Sequence, residues 1–549
     1  MARLDRSAEV REVAQIGACI GRDFSYRLLT AVSDLPEGKL RSALDQLIGS
    51  ELVFSRGEPP DATYSFKHAL VQDTAYGSLL KSRRQVLHRL LAEILQSQFP
   101  ERIANEPELA AHHFTSAGLN EQAIGYWLLA GHRAIERFAN AEAISHVTRG
   151  LALLQTLPAG AIRDKQELLL QMALGSALGA KGYTSPEVGR TFARARELCQ
   201  QVGEMPQMFP ILFGLWIYYI MRAEFQSSYE IADQILQLAT KADDPLGILV
   251  ANYSLCGTQL FRGDLRAAVE HGEAAFKRYE KAWDKRLMAM FGYSPGPGCG
   301  DWASIAMWFL GLTGQSQQQG RLAEQQAVES GHPLTLATVL VHRAFLGAMR
   351  GDVQAALAYS RRTIEVTKET GILIRQAEGE LIEGWALARM GESEKGIRQL
   401  ETSLAIWNQV GANIGDPTWM GLLADAHRTA GQLDQAHAVL TRAIECVEKY
   451  DERLWESGLH RLWGELWISG SNTDVAKAER CFRKAVAVAQ DQGAKMLELE
   501  AATPLAVLLQ QAGRAAEARE VLNPIYTWFT EGFDTPQLRS AAAAFRALQ

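Results

Sequence analysis

A glycine-centred segment recurs at a fixed interval in this chain and limits the folds open to it. The interval is 40 residues, and the recurring glycines are Gly311, Gly351, Gly391 and Gly431, with Gly263 heading the same kind of segment earlier. A fixed period of roughly 20 to 50 residues is typical of arrays in which each unit buries its apolar face only against its neighbours. The sequence therefore predicts an array of repeats over much of its length.

A small residue stands five positions after the turn glycine in the aligned segments. These small residues are Ala268, Ala356, Gly396 and Ala436. A small side chain lets the second helix of a pair pack closely on the first, and glycine adopts the left-handed conformation that ends a helix. Helix, tight turn and helix resembles the tetratricopeptide repeat, whose period is about 34 residues. The extra residues predict longer helices or longer connections between repeats.

The composition agrees with an extended core and disfavours two classes of partner. The chain has 549 residues, of which 47% are hydrophobic, and a formal net charge of −7. Bulk affinity for nucleic acid or for an anionic membrane needs clustered positive charge. The longest apolar stretch, residues 209–221, is shorter than the roughly 20 residues that cross a bilayer. We therefore expect a cytoplasmic protein with no membrane contact, and we do not expect DNA as its main partner.

The N-terminal region differs in kind from the repeats. Amphipathic helices are predicted at 9–16, 24–32 and 40–52, and the strands Leu52–Arg56 and Thr63–Phe66 alternate around a Gly/Pro turn. Three helices followed by a hairpin predict a small winged-helix domain.

The predicted fold class is all-α, a tetratricopeptide-like right-handed superhelical solenoid with a small N-terminal winged-helix domain. The predicted divisions are a winged-helix-like domain at 1–68, a helical connector with the first repeats at 69–205, and a solenoid at 206–549 with an inserted loop near 292–301. The insertion follows because one interval between turn glycines is 48 residues instead of 40.

Several strings, in the same order, resemble the C-terminal half of large bacterial signalling ATPases. They include YSFKHALVQDTAY, SRRQVLHRLLAEIL, GYTSPEVGRTFARARELCQQVGE, GWALARMGESEKGIRQLETSLAIW and LHRLWGELWI. The usual order in that family is a class III adenylate/guanylate cyclase domain, an AAA or STAND-type ATPase, a winged helix and a long tetratricopeptide region. The resemblance implies a sensor or interaction arm whose protein partner is an ATPase or a nucleotide cyclase, with a small effector as a further ligand.

Sequence signals for catalysis are weak. The chain contains no G-x-x-x-x-G-K-[ST] phosphate loop, so we do not expect it to hydrolyse ATP alone. The string Gly292 to Gly296 fits G-x-S-x-G, but Pro295 lacks the N–H that an oxyanion hole needs at that position. Six widely spaced cysteines form no Cys-x-x-Cys pair. We predict no catalytic residue, no metal and no cofactor, and Met1 is either a natural start or a fragment boundary.

One histidine is implied by the resemblance to contact a nucleotide. In STAND ATPases a histidine at the end of the winged helix reaches the phosphate of bound ADP, and the Phe-x-His string here places His68, with Lys67 beside it, in a similar position. Without an ATPase module in this chain, the contact would be made in trans, as part of an ATPase or cyclase completed by another chain. The alternative is a histidine that caps or packs at a helix start.

A winged helix also suggests DNA binding. The second helix of the pair offers Lys39, Arg41 and Gln46, but acidic residues dilute them. Recognition helices need basic and amide side chains directed at phosphates and base edges. A winged-helix transcription regulator with a repeat sensor therefore remains an alternative to the sensor arm.

Aromatic residues within the array are candidates for a binding groove. The candidates are Trp385, Trp463 and Trp467, the last two spaced i to i+4. Such side chains bury a large area with little loss of entropy, although they are as readily part of a repeat core. The function predicted is a non-catalytic scaffold that binds a protein or an effector through the superhelix.

Overall fold

The structure is a computed structural model. It describes residues 7–137, 139–203, 205–470 and 473–549. The chain divides into two compact units, Met1–Ala177 and Leu178–Gln549. The first six residues, which include Met1, lie outside the described residues.

The first unit begins with helices and a small antiparallel sheet. The elements are α1 (Ala8–Ile20), β1 (Asp23–Ser25), α2 (Tyr26–Val32), α3 (Glu37–Gly49), β2 (Val53–Arg56) and β3 (Thr63–Phe66). Strand β3 lies between β1 and β2, pairing Phe24 with Tyr64 and Val53 with Phe66. The Phe24 ring packs within 5.6 Å of Tyr64 and 5.5 Å of Phe66, which ties the sheet to the core.

Strand β1 was not predicted from the sequence, which indicated a helix from residue 24. The hydroxyl of Ser25 accepts a hydrogen bond from the backbone N–H of Leu28 at 3.3 Å. Ser25 therefore caps α2, and a cap residue has extended backbone angles. Phe24 is left in an extended segment that pairs with β3.

Further helices complete the first unit. They are α4 (Ala69–Gly77), α5 (Lys81–Gln98), α6 (Pro100–Asn105), α7 (Pro107–Ala117), α8 (Asn120–Glu136), α9 (Asn140–Leu154) and α10 (Ala161–Lys181). One cluster of buried side chains extends from Val10 to Ala130, and α5 contacts both α1 and α2. The hydrophobic core is thus continuous across residue 68.

The second unit is a succession of helix pairs. Its helices are α11 (Pro186–Val202), α12 (Met205–Met221), α13 (Phe225–Lys241), α14 (Pro245–Arg262), α15 (Leu265–Arg278), α16 (Asp284–Phe291), α17 (Gly296–Phe309), α18 (Thr313–Ser330), α19 (Pro333–Met349), α20 (Val353–Thr370), α21 (Leu373–Arg389), α22 (Ser393–Gln409), α23 (Asp416–Thr429), α24 (Leu433–Tyr450), α25 (Glu456–Trp467), α26 (Val475–Asp491), α27 (Lys495–Gln511), α28 (Ala515–Trp528) and α29 (Pro536–Ala547). This is the all-α array of helix pairs that the period predicted.

The turn glycines have the predicted conformation. Their φ angles are left-handed, at 82° for Gly263, 87° for Gly311, 66° for Gly351, 94° for Gly391 and 75° for Gly431. An L side chain rarely adopts such angles. Each glycine therefore ends the first helix of a pair and lets the second begin at once.

The small residues five positions later are the points of closest helix contact. Ala268, Ala356 and Ala436 are 0% exposed. A Cβ added to Gly396 would lie 2.4 Å from the backbone oxygen of Gly384. At this crossing the backbones of α21 and α22 touch, which confirms the reason for a small residue.

The insertion has a different form from the loop predicted near 292–301. A short 3-10 helix, Lys281–Trp283, and α16 occupy the extra residues, and α17 is already helical from Gly296. Prolines 295 and 297 are compatible with this because the first N–H groups of a helix have no partner within it. Within residues 292–301, irregular chain is confined to 292–295, and the prediction of a loop as far as 301 is corrected.

Turns far apart in sequence touch within the second unit. The backbone N–H of Asn413 donates to the oxygen of Met221 at 2.8 Å, and that of Arg453 donates to Phe261 at 2.9 Å. We call these contacts, together with the hydrogen bond from Asn413 Nδ2 to the Arg222 oxygen at 3.3 Å, the seam. The array therefore winds far enough for α12 and α14 to meet the ends of α22 and α24.

The apolar stretch 209–221 forms most of α12 and is largely buried in the second unit. Among the described residues, no helix is both long and apolar enough to cross a membrane.

Candidate functional site

The first helix of each pair lines one side of the array. Helices α12, α14, α17, α19, α21, α23, α25 and α27 contact one another in series, whereas the second helices of successive pairs are more widely spaced. Closer spacing on one side of a curved array marks its concave side. We call the side formed by the first helices the concave face.

An aromatic row follows the concave face at its N-terminal end. Trp216 packs within 5.6 Å of Tyr253, and Tyr253 stacks on Trp302 at 4.6 Å. The indole N–H of Trp302 donates to Nε2 of His342 at 3.0 Å, and Nδ1 of His342 lies 3.2 Å from the buried carboxylate of Asp301. Since an indole only donates, Nε2 of His342 accepts this bond, and its Nδ1 carries the proton without a hydrogen-bond partner among the described residues.

A buried tyrosine pair closes the interior beside this row. The hydroxyl of Tyr293 donates to that of Tyr253 at 3.1 Å. Burial raises the pKa of both phenols, and Arg375 opposes the shift from across the array. Arg375 is itself paired with Glu378 at 2.6 Å. The interior at this level is filled by side chains.

A chain of alternating charges follows the concave face further along. We call it the charge ladder, and its members in spatial order are Arg389, Asp425, Arg428, Glu465, Arg461 and Glu500.

Neighbouring charged groups of the ladder lie within 4.0 Å of one another, at ion-pair distances. Arg389 Nη1 lies 3.6 Å from Asp425 Oδ2, and Arg428 Nη2 lies 2.6 Å from Asp425 Oδ1. Arg428 Nε is 3.7 Å from Glu465 Oε2, and Arg461 is hydrogen-bonded to Glu465. The ladder runs through α21, α23, α25 and α27, so it links four consecutive repeats.

The charges of the ladder neutralise one another, and its side chains remain partly exposed to solvent. Burial raises the pKa of Asp425, yet Arg428 and Arg389 more than offset this and hold that pKa below its ordinary value. The side chains of Asp425, Arg461 and Glu465 are 9%, 19% and 24% exposed. Partly desolvated ion pairs of this kind are costly to break singly but can exchange with charges on a ligand.

The three candidate tryptophans occupy different positions. Trp385 is buried, and its indole N–H donates to Asp425 Oδ2 at 3.0 Å, so it supports the ladder. Trp467 packs on the His437 ring at 4.6 Å and under Lys477 at 4.1 Å. Trp463 is half-buried on the same helix.

Trp463 and Trp467 lie off the ladder. Each follows a ladder residue of α25 by two positions, which is a rotation of about 200° around a helix. Their role in a groove stays a prediction. The charge ladder was not predicted from the sequence, although Trp385, Asp425 and Glu465 recur at the 40-residue period.

In the first unit, His68 and Lys67 lie where the sheet meets α4. His68 precedes α4 with an exposed side chain that makes no capping hydrogen bond. Lys67 is paired with Glu51 at 2.9 Å and lies 5.4 Å from the Phe54 ring. A nucleotide contact in trans stays a prediction for both residues.

The cations considered for DNA are engaged within the first unit. Lys39 is 3.2 Å from Glu9, and Arg41 is 2.6 Å from Glu37. In the described parts of the chain, no three His, Cys, Asp or Glu side chains are grouped so that they could hold a metal ion.

Comparison with known proteins identifies part of the array. The tetratricopeptide repeat family model matches residues 384–449. An uncharacterized protein of Rhizobium meliloti (strain 1021) is 26% identical over 501 residues, covering 90% of this chain and 48% of its own length. The chain thus spans about half the length of this relative.

Two solved structures align with much of this chain at low identity. A Rap protein complexed with competence and sporulation factor is 12% identical with a TM-score of 0.38, covering 78% of this chain and 97% of its own. A signal transduction ATPase with numerous domains and a tetratricopeptide repeat sensor, from Pyrococcus horikoshii, is 12% identical with a TM-score of 0.28, covering 100% of this chain and 65% of its own. On the family match, residues 384–449 of this chain are similar to tetratricopeptide repeats.

Proposed function

We propose that this chain is a non-catalytic sensor and interaction scaffold of a bacterial signalling ATPase or nucleotide-cyclase system. Its concave face binds an extended protein segment that carries charges of both signs. The observation that carries this proposal is the charge ladder, which spans four repeats and stays partly exposed.

The ladder suits an extended polar segment for an electrostatic reason. Its alternating residues present a carboxylate or a guanidinium at each step, and Arg389 at one end is 36% exposed. A segment of matching alternation gains charge-assisted hydrogen bonds from guanidinium groups that are already oriented by their carboxylates. A segment of the wrong charge pattern would leave desolvated charges unpaired, so the ladder also provides specificity.

Within the first unit, residues 1–68 are proposed to form a winged-helix domain that contacts the ATPase module. The order of elements, helix, strand, two helices and a hairpin, supports this, as does the antiparallel sheet with β3 in the middle. The side chains of Phe54 and Leu70, on either side of Lys67 and His68 in the sequence, are 55% and 76% exposed. Contiguous exposed apolar groups mark docking surfaces, and we propose that these two side chains belong to one.

The docking role is tested by capture from native lysate with the tagged full chain. We expect enrichment of a P-loop ATPase or a nucleotide cyclase, quantified by mass spectrometry, and loss of that enrichment with Phe54→Glu and Leu70→Glu. The matched control is Phe533→Glu, because the exposure of Phe533, 49%, is close to the 55% of Phe54, but Phe533 lies in the second unit. No such enzyme in the capture, or equal loss with the control, contradicts the proposal.

The ladder is tested separately on the captured complex. Arg428→Gln and Arg461→Gln should abolish the hydrogen-exchange protection that a bound segment confers on α23 and α25, while ATPase or cyclase capture is retained. Arg398→Gln is the control, because Arg398 is 69% exposed and pairs only with Glu394 among the described residues. Specific, salt-sensitive binding of duplex DNA in the same experiment would favour the transcription-regulator alternative.

A further inference from the structure

A cleft lies beside the seam of the second unit, away from the charge ladder. Its volume is about 560 Å³. One wall is the α12–α13 turn, residues 222–227, with Arg262 at the end of α14, and the other wall is Asn413 with the end of α24, residues 449–451. The two walls are more than 150 residues apart in sequence, from Asn413 back to Arg262.

Two cations of the cleft have no carboxylate partner. Of the described residues, none places a carboxylate within 4.0 Å of Arg262 or of Lys449. Arg262 lies over the Tyr229 ring at 5.7 Å. Lys449 donates to the hydroxyl of Tyr450 at 2.8 Å and is solvent-exposed. Each guanidinium or ammonium therefore keeps donors free for a ligand.

The acidic residues of the cleft are already compensated. Glu224 accepts from Arg222 Nε at 2.6 Å, and Asp451 accepts from Arg453 Nε at 2.6 Å. Arg222 pairs with Glu224, and Arg453 pairs with both Asp451 and Glu456. The lining cations left without a carboxylate partner are therefore Arg262 and Lys449, one on each wall.

The neutral lining adds donors to the same space. Helix α13 starts at Phe225 without a side-chain cap, and its first residues, through Ser227, line the cleft. The opening N–H groups of a helix have no partner within it and favour an anion. The Asn413 amide is held at the edge by its hydrogen bond to the Arg222 oxygen at 3.3 Å.

We propose that this cleft is a binding site for a small phosphate-bearing molecule, with Arg262 and Lys449 on opposite sides of the phosphate. A phosphate monoester carries a charge of about −1.5 to −2 at pH 7, which matches two uncompensated cations, whereas a single carboxylate would leave one of them unmatched. The cleft volume of about 560 Å³ lies in the range of ligand pockets of roughly 300 to 1,000 Å³. The ring of Tyr450 at the rim provides an apolar surface for the rest of the ligand.

Binding at this site would act on the seam. A ligand that contacts Arg262 and Lys449 joins α14 to α24, which the hydrogen bond from the Arg453 N–H to the Phe261 oxygen at 2.9 Å already joins nearby. Such a ligand would stabilise the form of the array in which the seam contacts are made, because only that form brings Arg262 and Lys449 together. The cleft is therefore an effector site, distinct from the proposed protein-binding face.

The test is titration of the full chain with inorganic phosphate, pyrophosphate and adenosine monophosphate, followed by calorimetry and by thermal shift. We expect saturable binding and a raised melting temperature. Arg262→Gln and Lys449→Gln should each weaken binding about tenfold or more, corresponding to a loss of 1.4 kcal/mol or more. Both positions border solvent, so the variants should keep the wild-type circular dichroism spectrum. Lys395→Gln is the matched control, because Lys395 is 59% exposed and lies at the start of α22, at the opposite end of that helix from the seam.

Three results would overturn the proposal. The first is the absence of binding by all three probes to the folded wild-type chain. The second is binding that survives both Arg262→Gln and Lys449→Gln. The third is an affinity for succinate equal to that for phosphate, which would show that the cleft binds dianions in general and does not select phosphate. Loss of segment binding at the charge ladder, with phosphate binding retained, would contradict the proposed function but not this effector site.

Discussion

The Nδ1 atoms of His88 and His113 lie 2.9 Å apart in the core of the first unit. Only one of the two nitrogens can carry the proton of this hydrogen bond, so the pair cannot be doubly charged in this geometry. The Tyr76 hydroxyl lies 2.9 Å from Nε2 of His88. Burial lowers the pKa of His88 to about 4 and that of His113 to about 3.

The histidine pair predicts acid sensitivity of the first unit. Above the ordinary histidine pKa of 6.5 the two histidines are neutral in both the folded and the unfolded chain. Their titration then does not lower the free energy of unfolding. Below that pKa the unfolded chain takes up protons that the native pair excludes, so stability falls as the pH drops from about 6.5 towards 4, by several kcal/mol. Hydrogen exchange in α5 and α7 across this range measures the loss. His113→Gln, which keeps a hydrogen-bonding group but cannot titrate, should show a smaller loss.

The control for this prediction is His68→Gln, because His68 is exposed. It should leave the acid profile unchanged. A profile of His113→Gln identical to that of the wild type would show that another group causes the acid sensitivity.

A buried carboxyl pair in the second unit predicts the opposite trend. Burial raises the pKa of Asp416 to about 7, despite Lys449 and Arg442, and raises that of Glu452 well above its ordinary value. Glu452 Oε2 accepts the Gly415 N–H at 2.9 Å, which places the pair directly beneath the seam. Between about pH 4 and pH 7 the native carboxyl holds a proton that the unfolded one has released, so stability decreases as the pH rises.

Asp416→Asn should therefore stabilise the second unit at about pH 8 but not at about pH 4, by up to 4 kcal/mol. Thermal unfolding at the two pH values, with exchange in peptides from α23 and α24, provides the measurement. Asp434→Asn is the control, since Asp434 is exposed at the start of α24. Equal stabilisation at both pH values would mean that ionisation is not the cause.

Substitutions at Gly396 and Gly391 distinguish the effect of tight helix packing on stability from the effect of backbone strain. A Cβ at Gly396 would lie 2.4 Å from the Gly384 oxygen and 2.7 Å from the Ala388 nitrogen, whereas a Cβ at Gly391 meets nothing within 4 Å but has a φ of 94°. We expect Gly396→Ala to lower the unfolding free energy by about 2 to 3 kcal/mol through overpacking. Gly391→Ala should cost about 1 kcal/mol through strain. Chemical denaturation compares the two, and a larger effect at Gly391 would contradict the packing argument.

A carboxylate near the C-terminus is predicted to hold α18. Glu531 Oε1 accepts the Gly314 N–H at 2.9 Å across 217 residues. Glu531→Ala should increase exchange at both segments and cost about 0.5 to 1 kcal/mol, because the site is exposed. Glu531→Gln keeps an acceptor oxygen and should behave more like the wild type. Exchange in Glu531→Ala equal to that of the wild type would show that the contact contributes nothing.

Local features of the chain were predictable because each depends on a few neighbouring residues. The turn at Gly351 and the small residue Ala356 follow from helix geometry alone, and the strand Thr63–Phe66 follows from alternation bounded by turn residues. The prediction failed where an element was too short to show a period. Strand β1 has three residues, and its Ser25 belongs equally to the cap of α2.

The contacts of the candidate sites were not predictable in the same way. Arg389 meets Asp425 only because α21 and α23 have a particular relative rotation. Arg262 and Lys449 border one cleft because small rotations between repeats add up over the intervening pairs. The 40-residue period does contain Asp425 and Glu465, but it does not tell which side of a helix faces the concave side.

The sequence by itself determined that this chain is an array of helix pairs, where each pair turns, and where two helices cross closely, because glycine angles and small side chains act within one repeat. Only the tertiary structure decided which charges pair along the concave face and which turns meet at the seam. The physical reason is that these contacts depend on the summed geometry of many repeats, and a small rotation at each junction is not encoded in any single motif.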